Sequence, residues 1–215
     1  TPQISPLLNA YDLVLVQEDF SYHAALARDA LHPHQSVPQS GQTRLMNDGL
    51  NRFSIHPFTP VQREIWATCH GIWAAANDCL AAKGFSFARH TLAPNVEIDV
   101  YNLHADAGGA QGDITARQQQ MEQLKNFILL TSADRALVVA GDFNLHGFAP
   151  DDEPIFAGLL LAIGLEDSCR AIACGQERID RVLFRSGREV LLQPLAWRLA
   201  DEFVDPGGAS LSDHE

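Results

Sequence analysis

Ala136-Leu137-Val138-Val139-Ala140-Gly141-Asp142-Phe143-Asn144 is the most diagnostic stretch of this 215-residue chain. Its apolar first half reads as a buried strand that stops at a glycine. If strand geometry continues beyond Gly141, Asp142 and Asn144 share one face and Phe143 turns inward. A carboxylate beside an amide donor can orient a water and hold a phosphate oxygen. Asp-x-Asn is also common where chains reverse. Asp142-x-Asn144-x-His146-Gly147 followed by Glu153 nearly fits a helix–loop–helix calcium loop. His146 in place of an oxygen ligand, and a β-type lead-in, count against calcium.

Working outward, other short polar motifs close apolar runs. Leu13-Val14-Leu15-Val16-Gln17-Glu18 ends in a carboxylate. Placed at a strand end, Glu18 could hold Mg²⁺, which takes one or two carboxylates together with water and substrate phosphate. Asp19 should point the other way. The run from Val96 to Leu103 ends at His104, and a histidine there can protonate a leaving oxygen or hydrogen-bond a phosphate. Asp180 lies inside the apolar run Ile179 to Phe184 and needs a partner there. His214, in Ser212-Asp213-His214, is the candidate, its tautomer held by the carboxylate. Asp213 could add charge near a metal. His32, His34 and His90 carry no pattern of this kind.

Twenty-seven acidic residues against fifteen Lys plus Arg give a formal charge of −12. That disfavours tight non-specific nucleic-acid binding, which draws on counterion release by basic side chains. It leaves room for a nuclease with a local basic groove. Apolar residues make up 46% of the chain, so a sizeable core is expected, and no apolar stretch is long enough to be a transmembrane segment. The four cysteines fall in two close pairs, Cys69 with Cys79 and Cys169 with Cys174. Local pairs suit two small disulfides and a secreted or periplasmic setting; four buried thiols in a cytoplasmic protein is the alternative. Neither gap matches a structural zinc knuckle. No feature of the sequence specifies an oligomeric state.

Strands are predicted at 12–17, 50–55, 85–91, 96–103, 136–141, 179–184 and 189–192. Helices are predicted at 21–30, 60–66, 73–82, 112–131 and 154–163. The clearest is 112–131, where Ile114, Met121, Leu124, Phe127 and Ile128 recur near helical spacing and Asp113 can cap the start. Stretches 31–49 and 145–154 read as loops. Strands mixed with helices indicate an α/β or α+β layered domain.

Taken in order, the motifs resemble the endonuclease/exonuclease/phosphatase superfamily, the fold of deoxyribonuclease I, from about residue 12 to the end of the chain. The resemblance implies a four-layer α/β sandwich of two facing mixed β-sheets with helices outside. It implies a single domain over residues 1–215 that lacks the family's first and last strands. By motif, Glu18 is similar to the Mg²⁺ ligand, and Asp213 to the acid near the metal. His104 is similar to the histidine that contacts the phosphate or serves as acid. Asp142 and Asn144 resemble the pair that orients the nucleophile and holds the phosphate, and Asp180 resembles the carboxylate paired with His214. Asp78-Cys79-Leu80-Ala81-Ala82-Lys83-Gly84-Phe85, followed by a long strand pair and Asn102-x-His104, most resembles the sphingomyelinase-type branch.

The expected activity is Mg²⁺-dependent hydrolysis of a phosphodiester, with Mn²⁺ or Ca²⁺ as possible substitutes for Mg²⁺. Water attacks phosphorus in line, and Asp142 or His214 activates or positions it. The first substrate expectation is a phospholipid head group of the sphingomyelin kind. Nucleic acid is the alternative, for which Arg178, Arg181, Arg185 and Arg188 would have to form a basic stripe; a phosphomonoester is a third. A binding module without catalysis should have lost part of the set Glu18, His104, Asp142, Asn144, Asp180 and His214. All are present, which favours an enzyme.

Overall fold

Period-two alternation along the apolar runs builds two sheets that face each other. The structure, a computed structural model, describes residues 1–41, 44–71, 78–147, 149–175 and 178–214. Strands β1 (Leu13–Val16), β2 (His34–Gln35) and β3 (Asn51–Ser54) form a three-stranded sheet in the order β1-β3-β2. Strands β4 (Gln62–Ile65), β5 (Gly84–Ala93), β6 (Val96–His104), β7 (Leu137–Asp142), β8 (Glu166–Asp167) and β9 (Asp180–Arg185) form a six-stranded sheet in the order β4-β5-β6-β7-β9-β8. The helices are α1 (His23–Ala27), α2 (Gln111–Thr131), α3 (Asp152–Ile163) and α4 (Ser168–Ala171), with 3-10 turns at Ser5–Ala10 and Asp78–Leu80.

Alternation sorts the side chains into layers. Phe85, Phe87, Tyr101, Leu103, Leu137, Val139 and Leu183 leave one face of the large sheet and pack on Met121, Leu124 and Ile128 of α2 and Phe156, Leu159 and Ile163 of α3. Ile98, Val100 and Val138 leave the other face and meet Leu13 and Leu15 of β1. Val14, Val16 and Phe53 point away from the large sheet and are covered by Leu8 and Leu26. The result is a four-layer sandwich with helices outside. The large sheet is mixed, because β6 and β7 run parallel across the α2 crossover while its other pairs are antiparallel. The small sheet is antiparallel throughout, which corrects the expectation of two mixed sheets. Its central strand β3 runs against both neighbours, so no crossover helix is required.

Polar groups also cross between the sheets. Arg52 of β3 is fully buried and donates to Val100 O at 3.2 Å, Ser86 O at 3.1 Å, Ser86 Oγ at 2.9 Å and His90 Nε2 at 3.3 Å. Arginine only donates, so Nε2 of His90 accepts, its proton sits on Nδ1, and Nδ1–H faces Ser54 Oγ at 3.4 Å. Asn102 of β6 donates to Val16 O at 2.9 Å and Asn51 O at 3.2 Å, and accepts from Gln17 Nε2 at 2.6 Å. It ties the large sheet to both long strands of the small one.

Most expected elements form within a residue or two of their predicted bounds. The helix expected at 60–66 is instead the edge strand β4, paired from Gln62↔Phe87 to Ile65↔Gly84. Pairing to the open edge of β5 outweighs the modest helical preference of Gln, Arg and Glu. The strand expected at 189–192 does not form: Gly187 N donates to Val190 O and Leu192 N to Ser186 Oγ, which closes a tight reversal. Val190 and Leu192 are still used, against the apolar cluster between the sheets. The helix expected at 21–30 shortens to α1. Of the helix expected at 73–82, residues 72–77 lie outside the described ones, and Asp78–Leu80 forms a 3-10 turn. Within the stretches read as loops lie β2 and the start of α3. Asp113 caps α2 from inside its first turn, its Oδ2 accepting from Ala110 N at 2.8 Å. Disulfides join Cys69 to Cys79 and Cys169 to Cys174, as the local pairing anticipates.

His90 makes the polar seam sensitive to acid. Burial and the Arg52 charge push its pKa down to about 3. The unfolded chain takes up this proton below about pH 6.5 and the folded one does not, so stability is lost as pH falls from there towards 3. Between pH 6.5 and 5 this group alone should remove about 2 kcal/mol. Urea unfolding at both pH values should show a smaller pH-dependent loss in His90→Gln than in the parent protein.

Candidate active site

Strand register alone brings three of the predicted residues into a row. His104 of β6 lies opposite Asp142 of β7, and Asp142 lies opposite Asp180 of β9. Because β6 and β7 are parallel and β9 runs against them, two strand C-termini and one N-terminus meet at one end of the sheet. Gln17 and Glu18 leave β1 at that same end.

At Gly141 the backbone has φ 136°, and a Cβ there would strike Leu103 O. Glycine is therefore what lets β7 close on β6 just before Asp142. The strand then ends. Asn144 has φ 49°, so it meets Asp142 through a turn and not by strand alternation; both the shared site and the chain reversal read from Asp-x-Asn are present. Asp142 Oδ1 accepts from Asn144 N at 2.8 Å and Oδ2 from Asn144 Nδ2 at 3.0 Å, while Nδ2 also reaches Ala105 O at 3.1 Å. Phe143 turns into the core. The calcium-loop alternative fails here: a strand precedes the segment, and Glu153 pairs with Arg170 at 3.2 Å.

His104 is buried, with Nε2 at 3.5 Å from Asp142 Oδ2 and 3.8 Å from Glu18 Oε1. Its Nδ1 is buried and has no hydrogen-bond partner among the described residues, so the ring proton belongs on Nε2, between two carboxylates. Burial, then the charges of Lys83 and His214, hold its pKa well below the ordinary histidine value. His104 is thus a neutral donor. Trp66 Nε1 donates to its carbonyl oxygen at 2.7 Å and fixes the strand end.

Asp180 Oδ2 accepts from His214 Nδ1 at 2.8 Å, and the opposite nitrogen, Nε2, lies 4.0 Å from Asp142 Oδ2. Ligand-type atoms of Asp142, Asp180 and His214 all lie within 4.8 Å of one another. Burial is the largest single influence on His214 and lowers its pKa, but the Asp180 hydrogen bond and the charges of Asp180, Asp142 and Asp213 together outweigh it, so the net shift is upward. Burial first, and then the Asp180 charge, push Asp142 up to about 6, against the pull of Asn144 N–H, His214 and Lys83.

Glu18 is 56% exposed at its side chain and has φ 60°, a left-handed backbone. Asp19 turns the other way, as expected, and its Oδ2 accepts from Asn51 Nδ2 at 2.8 Å. Asp213 is exposed and bears on the site through its charge on His214. Among the described residues no donor bonds the Glu18 carboxylate. Exposed hard oxygen beside buried carboxylates is a donor set that fits a divalent cation of the magnesium type.

Two residues inside the quoted motifs are given no role by the sequence alone. Lys83 donates to Asp78 Oδ1 and to Ala105 O, the latter at 3.3 Å, and lays a positive charge near His104 and Asp142. Gln17 joins Asn102 beside the site. The Asp78–Gly84 segment was visible as a pattern, but its bearing on His104 depends on a fold contact.

Comparison with known proteins follows the same lines. The chain is 32% identical to a sphingomyelinase of Mycobacterium tuberculosis over 236 aligned residues, covering 100% of this chain and 46% of that protein. The chain thus spans less than half the length of that relative. Its fold is similar to that of a Staphylococcus aureus beta toxin variant with bound magnesium ions (TM-score 0.68, 15% identity, 89% of this chain and 77% of the other). It is also similar to D. rerio TDP2 complexed with single strand DNA product (TM-score 0.72, 16% identity, 97% and 84%). A family model matches residues 3–214, nearly the whole chain, and the protein belongs to the Endonuclease/Exonuclease/phosphatase family.

Proposed function

We propose that this chain is a divalent-metal-dependent phosphodiesterase that cleaves a phospholipid head group of the sphingomyelin type. The observation that carries the reading is the cross-strand row His104–Asp142–Asp180, completed by Asn144, His214 and Glu18 at one end of the sandwich. The sphingomyelinase relative supports the lipid class.

The residues divide the work. With Nδ1–H given to Asp180, neutral His214 has Nε2 free to take a proton from water. Asp142, held by Asn144, orients that water for in-line attack. As the new P–O bond forms, the ester P–O bond opposite it breaks, the departing oxygen takes up a proton from solvent water, and His214 returns its proton to solvent. His104 donates from Nε2 to a phosphoryl oxygen; its depressed pKa suits a neutral hydrogen-bond donor better than a general acid. Glu18, with Asp213 adding charge, would hold Mg²⁺, or Mn²⁺ or Ca²⁺ in its place. Such a cation, when bound, neutralises charge that develops on the phosphate in the transition state.

A nucleic-acid substrate is the less favoured reading, because the sequence cluster of arginines does not make a stripe. Arg181 is buried and pairs with Asp167 at 3.0 Å, Arg185 bonds Ile163 O at 2.7 Å, and Arg188 pairs with Asp134 at 3.1 Å. Two disulfides support an extracytoplasmic location. Among the described residues no helix is long and apolar enough to cross a membrane.

A panel of sphingomyelin, lysophospholipid, plasmid DNA, a generic phosphodiester and a phosphomonoester tests the assignment. Turnover should be greatest on sphingomyelin, vanish with chelator, and fall about 10²–10⁴-fold in His214→Ala, the range for loss of acid–base catalysis. DNA cleavage as the main activity would replace the lipid reading with the nuclease one.

A pH profile tests the His214–Asp180 pair. The Asp180 carboxylate raises the His214 pKa, so Asp180→Asn should move the acid limb of kcat/KM to lower pH. The maximum should fall by about 10²-fold or more as the imidazole loses its tautomer control. An acid limb that stays in place would take the base role away from His214.

A further inference from the structure

Glu18 enters the proposed chemistry without a side-chain anchor. Its carboxylate is more than half exposed and, among the described residues, the one charged partner it approaches is His104, at 3.8 Å. What aims it is the backbone, which at φ 60° lies where residues with a Cβ rarely settle. Such a conformation persists only where its surroundings over-determine it, and those surroundings lie on a different loop.

Asp19 N donates to Gly49 O at 3.0 Å, immediately after Glu18. Asn47 spans the same gap, its Nδ2 donating to Phe20 O at 3.1 Å and its Oδ1 accepting from Gly49 N at 2.9 Å. Gly49, itself at φ 66°, approaches so closely that a Cβ would stand 3.0 Å from Glu18 N and Cα and 2.8 Å from the Phe20 ring. The turn carrying Gly49 is gripped in turn by Arg63 of β4, on the other sheet. Its Nη1 donates to Asp48 Oδ1 at 2.8 Å, Asp48 Oδ2 at 2.6 Å, and Leu50 O. Its Nη2 donates to Val37 O at 2.7 Å and to Asn51 Oδ1 at 3.2 Å. Asn51 then closes the ring through Asp19 at 2.8 Å. Both Asp48 and the Arg63 side chain are largely withdrawn from water.

We propose that Arg63 is a positioning residue for the metal-dependent step: clamped on Asp48, it holds the Asn47–Gly49 turn against the left-handed backbone of Glu18 and so presents that carboxylate to the phosphate site. The inference rests on the reading of Glu18 as a metal ligand. Arg63 itself touches neither substrate nor metal. A guanidinium is required because one group must bond both carboxylate oxygens and three further acceptors at once, which an ammonium cannot do from a single point.

The test is calorimetric titration of the full chain with MgCl₂, beside the Mg²⁺ dependence of sphingomyelin hydrolysis, for the parent protein, Glu18→Gln, Arg63→Met, Arg63→Lys and Gly49→Ala. Removing outer partners of a metal ligand costs about 10–100-fold in metal affinity. Arg63→Met and Gly49→Ala should therefore weaken Mg²⁺ binding by about 10-fold or more, with KM for lipid at saturating Mg²⁺ unchanged. Arg63→Lys should fall between Arg63→Met and the parent. Circular dichroism and thermal melts identify the folded variants, and if Arg63→Met does not fold, Gly49→Ala and Arg63→Lys decide. Folded variants that bind Mg²⁺ as the parent does, while Glu18→Gln does not, overturn the role of Arg63. Parent-like binding by Glu18→Gln overturns the assignment of Glu18 and the inference with it.

Discussion

The seam between the two sheets is the constraint on which the structure depends. Arg52 is fully buried and, among the described residues, has no carboxylate against it; backbone and hydroxyl oxygens and one imidazole nitrogen engage its two terminal nitrogens instead, while its Nε has no partner among those residues. Burial and the Arg63 charge lower its pKa only to about 9, so the side chain stays charged at neutral pH. Removing a cation from water costs several kcal/mol, recovered only where hydrogen bonds are well placed. Such bonds exist at one relative position of the sheets. Apolar contacts among Leu15, Val100 and Val138 tolerate sliding; Arg52 and Asn102 do not. The seam therefore sets register between sheets as backbone ladders set it within them.

That register matters because the site is divided between the sheets. His104, Asp142 and Asp180 stand on the large sheet, while Glu18 stands on the small one. A slip of one residue along β6 would turn His104 towards the helices and bring Leu103 to the site. Asn102 guards against that slip: two residues before His104 on the same face, it holds backbone oxygens of both β1 and β3. Inter-sheet fit and the geometry of the proposed phosphate site are thus one problem, solved by the same strand.

Elements whose signal is local were legible in the sequence. The runs of β5, β6, β7 and β9 carry their own alternation, and α2 its own periodicity, because each buries a face against a layer that spans many residues. Strand β4 was not legible, since Gln-Arg-Glu-Ile is neutral between helix and strand until the edge of β5 is present to accept it. His90 had no pattern because its partner lies 38 residues away on another sheet. Of the site, Glu18, His104, Asp142, Asn144 and Asp180 could be named because each ends, closely follows or interrupts an apolar run, where a polar group needs a reason, and His214 because Asp180 needs a partner and the Ser-Asp-His motif offers one. Lys83 and Arg63 sit in segments with ordinary reasons to be polar, Gln17 is overshadowed by the carboxylate next to it, and only the fold shows what the three face.

The two left-handed residues of the site, Glu18 and Asn144, follow strands of opposite sheets and are held in different ways. Asn144 tolerates its conformation: its short amide folds back on Asp142, and asparagine is the non-glycine residue that enters this region most readily. Glutamate has no such compensation, so the cost at Glu18 must be met from outside, by a glycine that leaves room and a partly buried cation that fastens the glycine's turn. The difference follows from what each side chain does. Asn144 can spend its amide on local bonds and still border the proposed phosphate site, because those bonds hold Asp142 beside it. Glu18 must keep its carboxylate unengaged if it is to meet a cation, so none of its own bonding capacity can stabilise its backbone. An exposed, uncommitted carboxylate, the metal ligand proposed above, thus requires a rigid, committed neighbourhood, and in this chain that neighbourhood reaches across both sheets to Arg63.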